Sequence, residues 1–283
     1  MNQSVTGDGV YPDLARGQYE SIARVNFSSL KLLEKSPAHY RHGLITPPAD
    51  TDPKKLGRVV HVAAFEPERF RNSVAVWDGG TRRGKDWEAF KERNLGRELL
   101  TEYEYDKCMA IQAKVRAKAS AARYLESGRG EVSLLWTATA PESGTEIPAK
   151  GRIDFDTDTA LVDLKTTRCA KPGIFERQVF GLQYHAQAAW YVDGYFCATG
   201  KRKPYVVVAV ESDPPHAVQV YRVPDKHLEL GRAAYSAWLD QLVFCRENNL
   251  WPEYTNDMEL ELQLPPWMAD GDFDALGIDV EEG

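Results

Sequence analysis

The pattern of apolar and polar positions changes character near residue 130. Before that point the apolar residues recur at helical intervals. NFSSLKLLEKSPAHYRHG (26–43) predicts two short helices, the first capped by Ser28 or Ser29 and the second by Ser36 with Pro37 at its first position. DPKKLGRVVHVAAFEP (52–67) sets Leu56, Val59, Val60, Ala63 and Ala64 at helical spacing, so this helix buries one face. Gly57, His61 and Ala64 fall on one stripe of it, small residues around an imidazole that let another element approach. RGKDWEAFKERN (83–94) and TEYEYDKCMAIQAKVRAKASAARYLES (101–127) predict exposed, charge-rich helices, the second running unbroken to Gly128.

From Glu131 the period becomes two. EVSLLWTAT (131–139) and EIPAKGRIDFD (146–156) flank a turn rich in Pro, Ser and Gly, which predicts a hairpin. A tight DTDT turn leads into ALVDLKTT (160–167), where Leu161, Val162 and Leu164 mark a central strand buried on both faces. A helical segment (173–196), two strands (204–212 and 217–223) and a long helix from about Asp225 to Asn249 complete the pattern. The expected fold class is therefore α/β, a small mixed sheet flanked by helices.

The ends differ from the middle. Residues 1–25 hold Gly7, Gly9, Pro12 and Gly17 without periodicity and are read as a loosely ordered arm. One domain is expected over 26–250. An acidic tail (251–283) remains, an extended strand, a docked arm or partly disordered chain. Charge follows the same division. The formal net charge is −7, yet residues 247–283 hold eleven acidic side chains and no Lys or Arg. The rest of the chain keeps 35 basic side chains against the other 31 of the 42 acidic ones, a surplus that permits phosphate contact without demonstrating it.

Other classes drop out. No apolar run of about 18 residues could span a bilayer, and no secretory signal opens the chain, so a cytoplasmic protein is expected. Cys108, Cys169, Cys197 and Cys245 are scattered, which argues against a zinc ribbon or an iron–sulfur cluster and for isolated core thiols. Neither a Walker-type loop nor a nicotinamide fingerprint is present, so no nucleotide cofactor is expected.

The chemistry concentrates in GRIDFDTDTALVDLK (151–165). Side chains two apart on a strand share a face, so Asp163 and Lys165 project together, and the turn returns the chain beside Asp154. Two carboxylates and an ammonium converge, the set that phosphodiester hydrolysis requires: hard oxygen ligands for Mg²⁺ or Mn²⁺, a positioned water, and positive charge at the phosphorane. Asp154 and Asp163 are read as metal ligands, with the Leu164 carbonyl as an additional one, and Lys165 as the group that orients water. The bland alternative is a solvated Asp163–Lys165 ion pair at a sheet edge. Against it, the strand is apolar, and burying unpaired charges costs several kcal/mol or roughly that order.

Several segments in this order resemble the PD-(D/E)xK nucleases, and more closely the RecE-type exonucleases, also called exonuclease VIII. They are SSLKLLEKSPAHYRHG, LGRVVH ending at His61, the strand after Glu131, GRID ending at Asp154, LVDLKTT, and YHAQAAWYVDGY beginning at Tyr184. ELELQLPPW (259–267) is similar as well, so the likeness spans about Asn26 to Trp267. It implies a restriction-endonuclease-like core and His61 as a metal-site residue; without it, His61 reads as a hydrogen-bonded core histidine. Glu131 would approach the same centre, or be a strand-end surface acid. Tyr184, Gln187 and Tyr191 share one helical face that resembles the Q-x-x-x-Y motif of RecB-like nucleases, where it would position the scissile strand; otherwise it is an aromatic core stripe.

By this resemblance the chain would be an exodeoxyribonuclease using one or two Mg²⁺ or Mn²⁺ ions. It would digest linear double-stranded DNA from 5′ ends and leave 3′ single strands for a RecT-like annealing partner, in a bacterium or a phage. A homo-oligomeric ring, a tetramer if the likeness is close, is implied too. The alternatives are an endonuclease of the same fold, and a DNA-binding module that no longer cuts.

Overall fold

The computed structural model describes residues 7–46, 51–255 and 258–263. Its elements run β1 (Gly9–Tyr11), α1 (Arg16–Ser21), β2 (Val25–Asn26), α2 (Phe27–Leu30), a 3-10 turn (Lys31–Glu34), α3 (Pro37–Ile45), α4 (Asp52–Phe65) and α5 (Pro67–Ser73). Next come β3 (Val74–Trp77), α6 (Lys85–Arg93), β4 (Glu98–Thr101), α7 (Glu102–Ala117), α8 (Ala119–Leu125), β5 (Arg129–Thr139), β6 (Glu146–Asp156) and β7 (Leu161–Thr167). The chain then forms α9 (Ile174–Gly181), α10 (Tyr184–Thr199), β8 (Tyr205–Glu211), β9 (Val218–Arg222) and α11 (Asp225–Asn248).

A seven-stranded mixed sheet in the order β1-β5-β6-β7-β8-β9, with β2 parallel to β6, forms the centre. The apolar strands β7 and β8 pair in parallel along their whole length and are buried on both faces, as VVVAV and LVDL require. Leu161, Tyr205, Val207 and Ala209 pack into the core under α10 and α11, while Val162, Leu164, Val206, Val208 and Val210 pack under α4 and α7. The expected α/β architecture is thus observed.

Five details differ from the sequence expectation. The segment read as a loose arm is ordered from Gly9: β1 pairs antiparallel with β5, and buried Lys150 donates to the carbonyls of Tyr19 and Ile22 (both 2.8 Å) at the end of α1. Those long-range partners are invisible to local periodicity. The first short helix is capped by Asn26, whose side chain accepts the Ser29 N–H, and not by Ser28 or Ser29; Ser36 caps α3 as expected. The continuous helix over 101–127 is broken at Lys118, which leaves helical backbone (ψ 108°), and α7 is not simply exposed, since Cys108, Ile111 and Val115 are buried. Strands β3 and β4 form a separate parallel pair. The cysteines are all free, but Cys197 is exposed and Cys169 half-buried, so only Cys108 and Cys245 are core thiols.

The described start of the acidic tail docks on α3: Ala38 N–H donates to the Pro252 carbonyl (3.0 Å) and Trp251 stacks on Tyr40. The remainder of the tail, including the end of ELELQLPPW, lies outside the described residues. No helix among the described residues is long and apolar enough to cross a membrane.

Candidate active site

The site is built on a fork in the sheet. Strands β6 and β7 pair only at Phe155↔Val162 and Asp156↔Leu161, then diverge. Beyond the fork, the peptide groups of Leu164 have no strand partner on that side, and buried backbone groups demand one. Side chains supply it. Asp154 Oδ2 accepts the Leu164 N–H (3.1 Å), and His61 Nε2 donates to the Leu164 carbonyl (2.6 Å). His61 Nδ1 in turn lies 3.2 Å from Asp154 Oδ2. Gly57, one turn earlier on α4, faces Thr166, whose hydroxyl an added Cβ would meet at an ordinary contact distance of 3.6 Å.

On β7, Lys165 Nζ donates to Asp163 Oδ1 (2.8 Å), and Asp163 is only 2% exposed. Its other oxygen, Oδ2, is buried and makes no well-formed hydrogen bond, although the Tyr205 hydroxyl, equally buried and unsatisfied, lies near the carboxylate. Such an orphan costs about 1–3 kcal/mol and calls for a reason.

The charges respond to one another. Burial alone would lower the His61 pKa, but the Asp154 carboxylate, helped by Asp163, outweighs it and holds the imidazole at about 9. Both ring nitrogens therefore carry protons near neutral pH. Burial raises Asp154, yet His61, Lys165 and the Leu164 N–H overcome this and keep it below the usual carboxylate range. For Asp163, burial together with the Asp154 charge prevails over Lys165, and its pKa rises to about 6. Burial lowers Lys165, and the two aspartates more than restore it.

The α10 face expected to look at the cluster does so. Tyr184 lies under the Lys165 ammonium (4.8 Å to the ring centre), Gln187 is half-buried beside Tyr191, and Tyr191 is half-buried within the field of Asp154 and Asp163. Glu131 is drawn elsewhere. It faces Asp154 in the hairpin register, but with φ 56° its carboxylate is held by Arg152 Nε (2.6 Å). Two residues escaped the sequence reading. Tyr205 stacks on Tyr191 and feels Asp163, and half-buried Lys31 adds a second ammonium, close enough to Lys165 that each disfavours the other's charge. A lysine in SSLKLL following the Asn26 cap was the available signal for the latter.

Among the described residues no three His, Cys, Asp or Glu side chains are arranged to hold an ion by themselves. The donor set suits a hard divalent cation nonetheless: two carboxylates, one with a free buried oxygen, completed by the edge carbonyl of Leu164. His61 stands in reach, its N–H groups occupying acceptors that a cation would use.

The sequence profile of a family described as a PDDEXK-like domain of unknown function matches residues 26–263. Among curated proteins none matches the chain. The crystal structure of a candidate exonuclease from Eubacterium rectale is similar, with a TM-score of 0.61 and 16% identity over 94% of this chain and 99% of that one. An alkaline exonuclease from Laribacter hongkongensis aligns with a TM-score of 0.30 and 13% identity over 69% of this chain and 89% of that one.

Proposed function

The chain belongs to the PDDEXK-like domain family, and from that premise together with the cluster at the β6/β7 fork we propose that it is a metal-dependent exodeoxyribonuclease. The observation that carries this reading is the buried Oδ2 of Asp163, left without a well-formed hydrogen bond beside Lys165. A protein keeps such an oxygen when a ligand satisfies it in the working state. Asp154, Asp163 and the Leu164 carbonyl would hold Mg²⁺ or Mn²⁺, one ion or two, with His61 as a neighbouring ligand once its proton is lost. A bound divalent ion supplies Lewis-acid polarisation of the phosphate and an activated water. Lys165 orients that water and offsets the charge developing on the phosphorane, and Tyr184 fixes the ammonium's position. Gln187 and Tyr191 set the scissile strand against the cluster.

The same reading extends to linear double-stranded DNA cut from 5′ ends, a RecT-like annealing partner for the 3′ strand, a homo-oligomeric ring and a cytoplasmic setting. The sequence likeness to RecE-type exonucleases supports these finer points. Linear duplexes labelled at the 5′ or the 3′ end, with Mg²⁺ or EDTA, test it. Metal-dependent shortening from 5′ ends is expected, with a loss of about a hundredfold or more in Lys165→Ala and a marked loss in His61→Ala. Unchanged cleavage by Lys165→Ala overturns the assignment.

A further inference from the structure

Among the described residues four buried side-chain atoms make no well-formed hydrogen bond. Two are imidazole nitrogens, on His185 and His227, and two are oxygens, Oδ2 of Asp163 and the hydroxyl of Tyr205. The two oxygens complement each other, since an ionised carboxylate only accepts and a phenol can donate. Buried polar groups are rarely left unmatched without a use, and these two share one corner of the sheet.

The backbone puts them there. Strand β8 pairs in parallel with β7 so that Tyr205 stands opposite Leu161, and Val207 opposite Asp163. Side chains two apart on a strand share a face, so Tyr205 lies on the Asp163 and Lys165 side of the sheet, diagonal to Asp163, a span that an aromatic side chain covers. The start of β8 is fixed from both sides: the Leu161 N–H donates to the Pro204 carbonyl and the Val223 N–H to the Tyr205 carbonyl, each at 2.9 Å. The ring is 2% exposed and stacks on Tyr191 with centres 6.3 Å apart. Burial first, and the Asp163 charge after it, keep the phenol protonated well past neutral pH, so it has a hydrogen to give.

The Asp163 carboxylate is gripped on one side only. Lys165 Nζ holds Oδ1 at 2.8 Å and nothing comparable holds Oδ2, so one hydrogen bond alone sets the plane of the carboxylate. Such an oxygen has two lone pairs, and it can take a donor on one while it ligates an ion with the other. Carboxylates that ligate metals are themselves hydrogen-bonded, and losing that outer partner costs about 10- to 100-fold in affinity.

We propose that the Tyr205 hydroxyl donates to Asp163 Oδ2 and fixes the carboxylate in the orientation that ligates the divalent ion. Tyr205 is then a positioning residue, acting through Asp163 rather than on the phosphate. The inference rests on the nuclease reading and deepens it, naming what readies the ligand before an ion arrives.

Mn²⁺ binding to the full chain without DNA, measured by isothermal titration calorimetry and set beside thermal melts in EDTA, tests this apart from cleavage. Tyr205→Phe keeps the ring that stacks on Tyr191 and removes only the hydroxyl. It is expected to melt within a few degrees of the natural chain in EDTA and to bind Mn²⁺ about 10- to 100-fold more weakly. Its cleavage of linear duplex should fall at low Mn²⁺ and return at saturating Mn²⁺, a rescue that a distorted site would not show. Natural Mn²⁺ affinity in Tyr205→Phe overturns the inference, as does a loss of binding matched by a large fall of the melting temperature in EDTA, or cleavage that saturating Mn²⁺ leaves low. Each of these outcomes leaves the nuclease reading standing where Asp163→Asn abolishes Mn²⁺ binding, whereas a natural chain that binds Mn²⁺ no better than Asp163→Asn removes that reading.

Discussion

Replacing Asp163 by Asn removes a buried charge that the metal-free fold does not welcome. The folded-state pKa of this carboxyl is about 6 against an ordinary 3.8. A raised carboxyl pKa means that the group's contribution is fully favourable below the ordinary value and is lost as pH rises through about 6. Near neutral pH the penalty is of order 3 kcal/mol, from a shift of about two units at 1.36 kcal/mol each. In EDTA, Asp163→Asn should therefore be more stable than the natural chain, by roughly 5–10 °C in melting temperature for a chain of this size. A divalent ion reverses the order. At about a thousand times its Kd it would return about 4.1 kcal/mol to the natural chain, more than the penalty, and little to the variant. Thermal melts of both proteins in EDTA and in excess Mg²⁺ or Mn²⁺ give all four values. An Asn variant less stable than the natural chain in EDTA, or a natural chain indifferent to both ions, refutes the reasoning.

Other expectations concern packing and thiols. A Cβ on Gly231 would stand 2.3 Å from the His185 carbonyl oxygen, backbone against backbone where α11 crosses α10, so Gly231→Ala should lower stability by about 1–3 kcal/mol, read as a fall in the urea midpoint. Burial pushes the Cys108 thiol up to about 12, and Cys245 is also buried, whereas Cys197 is exposed. With a thiol-reactive chromophore at mildly alkaline pH, Cys197 should react first and Cys169 more slowly, and Cys108 and Cys245 only after denaturation; four equal rates would contradict the packing.

The acidic centre was legible because its geometry is local. Asp163 and Lys165 share a strand face by parity, and a four-residue turn brings Asp154 back beside them. The approach of His61 was not local: it depends on where α4 crosses β7, and only the family likeness pointed to it. Glu131 illustrates the opposite failure, since its register beside Asp154 was foreseeable but the left-handed backbone and the Arg152 partner that draw it away were not. The break at Lys118 lies in a run of strong helix formers, where no residue type announces it. The ordering of residues 9–25 comes from β5 and Lys150, more than a hundred positions downstream.

Where the sheet splits, one carboxylate serves as mortar besides the metal-binding role proposed for it: Asp154 closes the backbone amide that β6 abandons. Removing it would loosen the strand that carries its neighbours in the same stroke as it removed the proposed ligand. An inert version meant for trapping DNA is therefore better made at Lys165, whose ammonium carries no part of the main-chain framework.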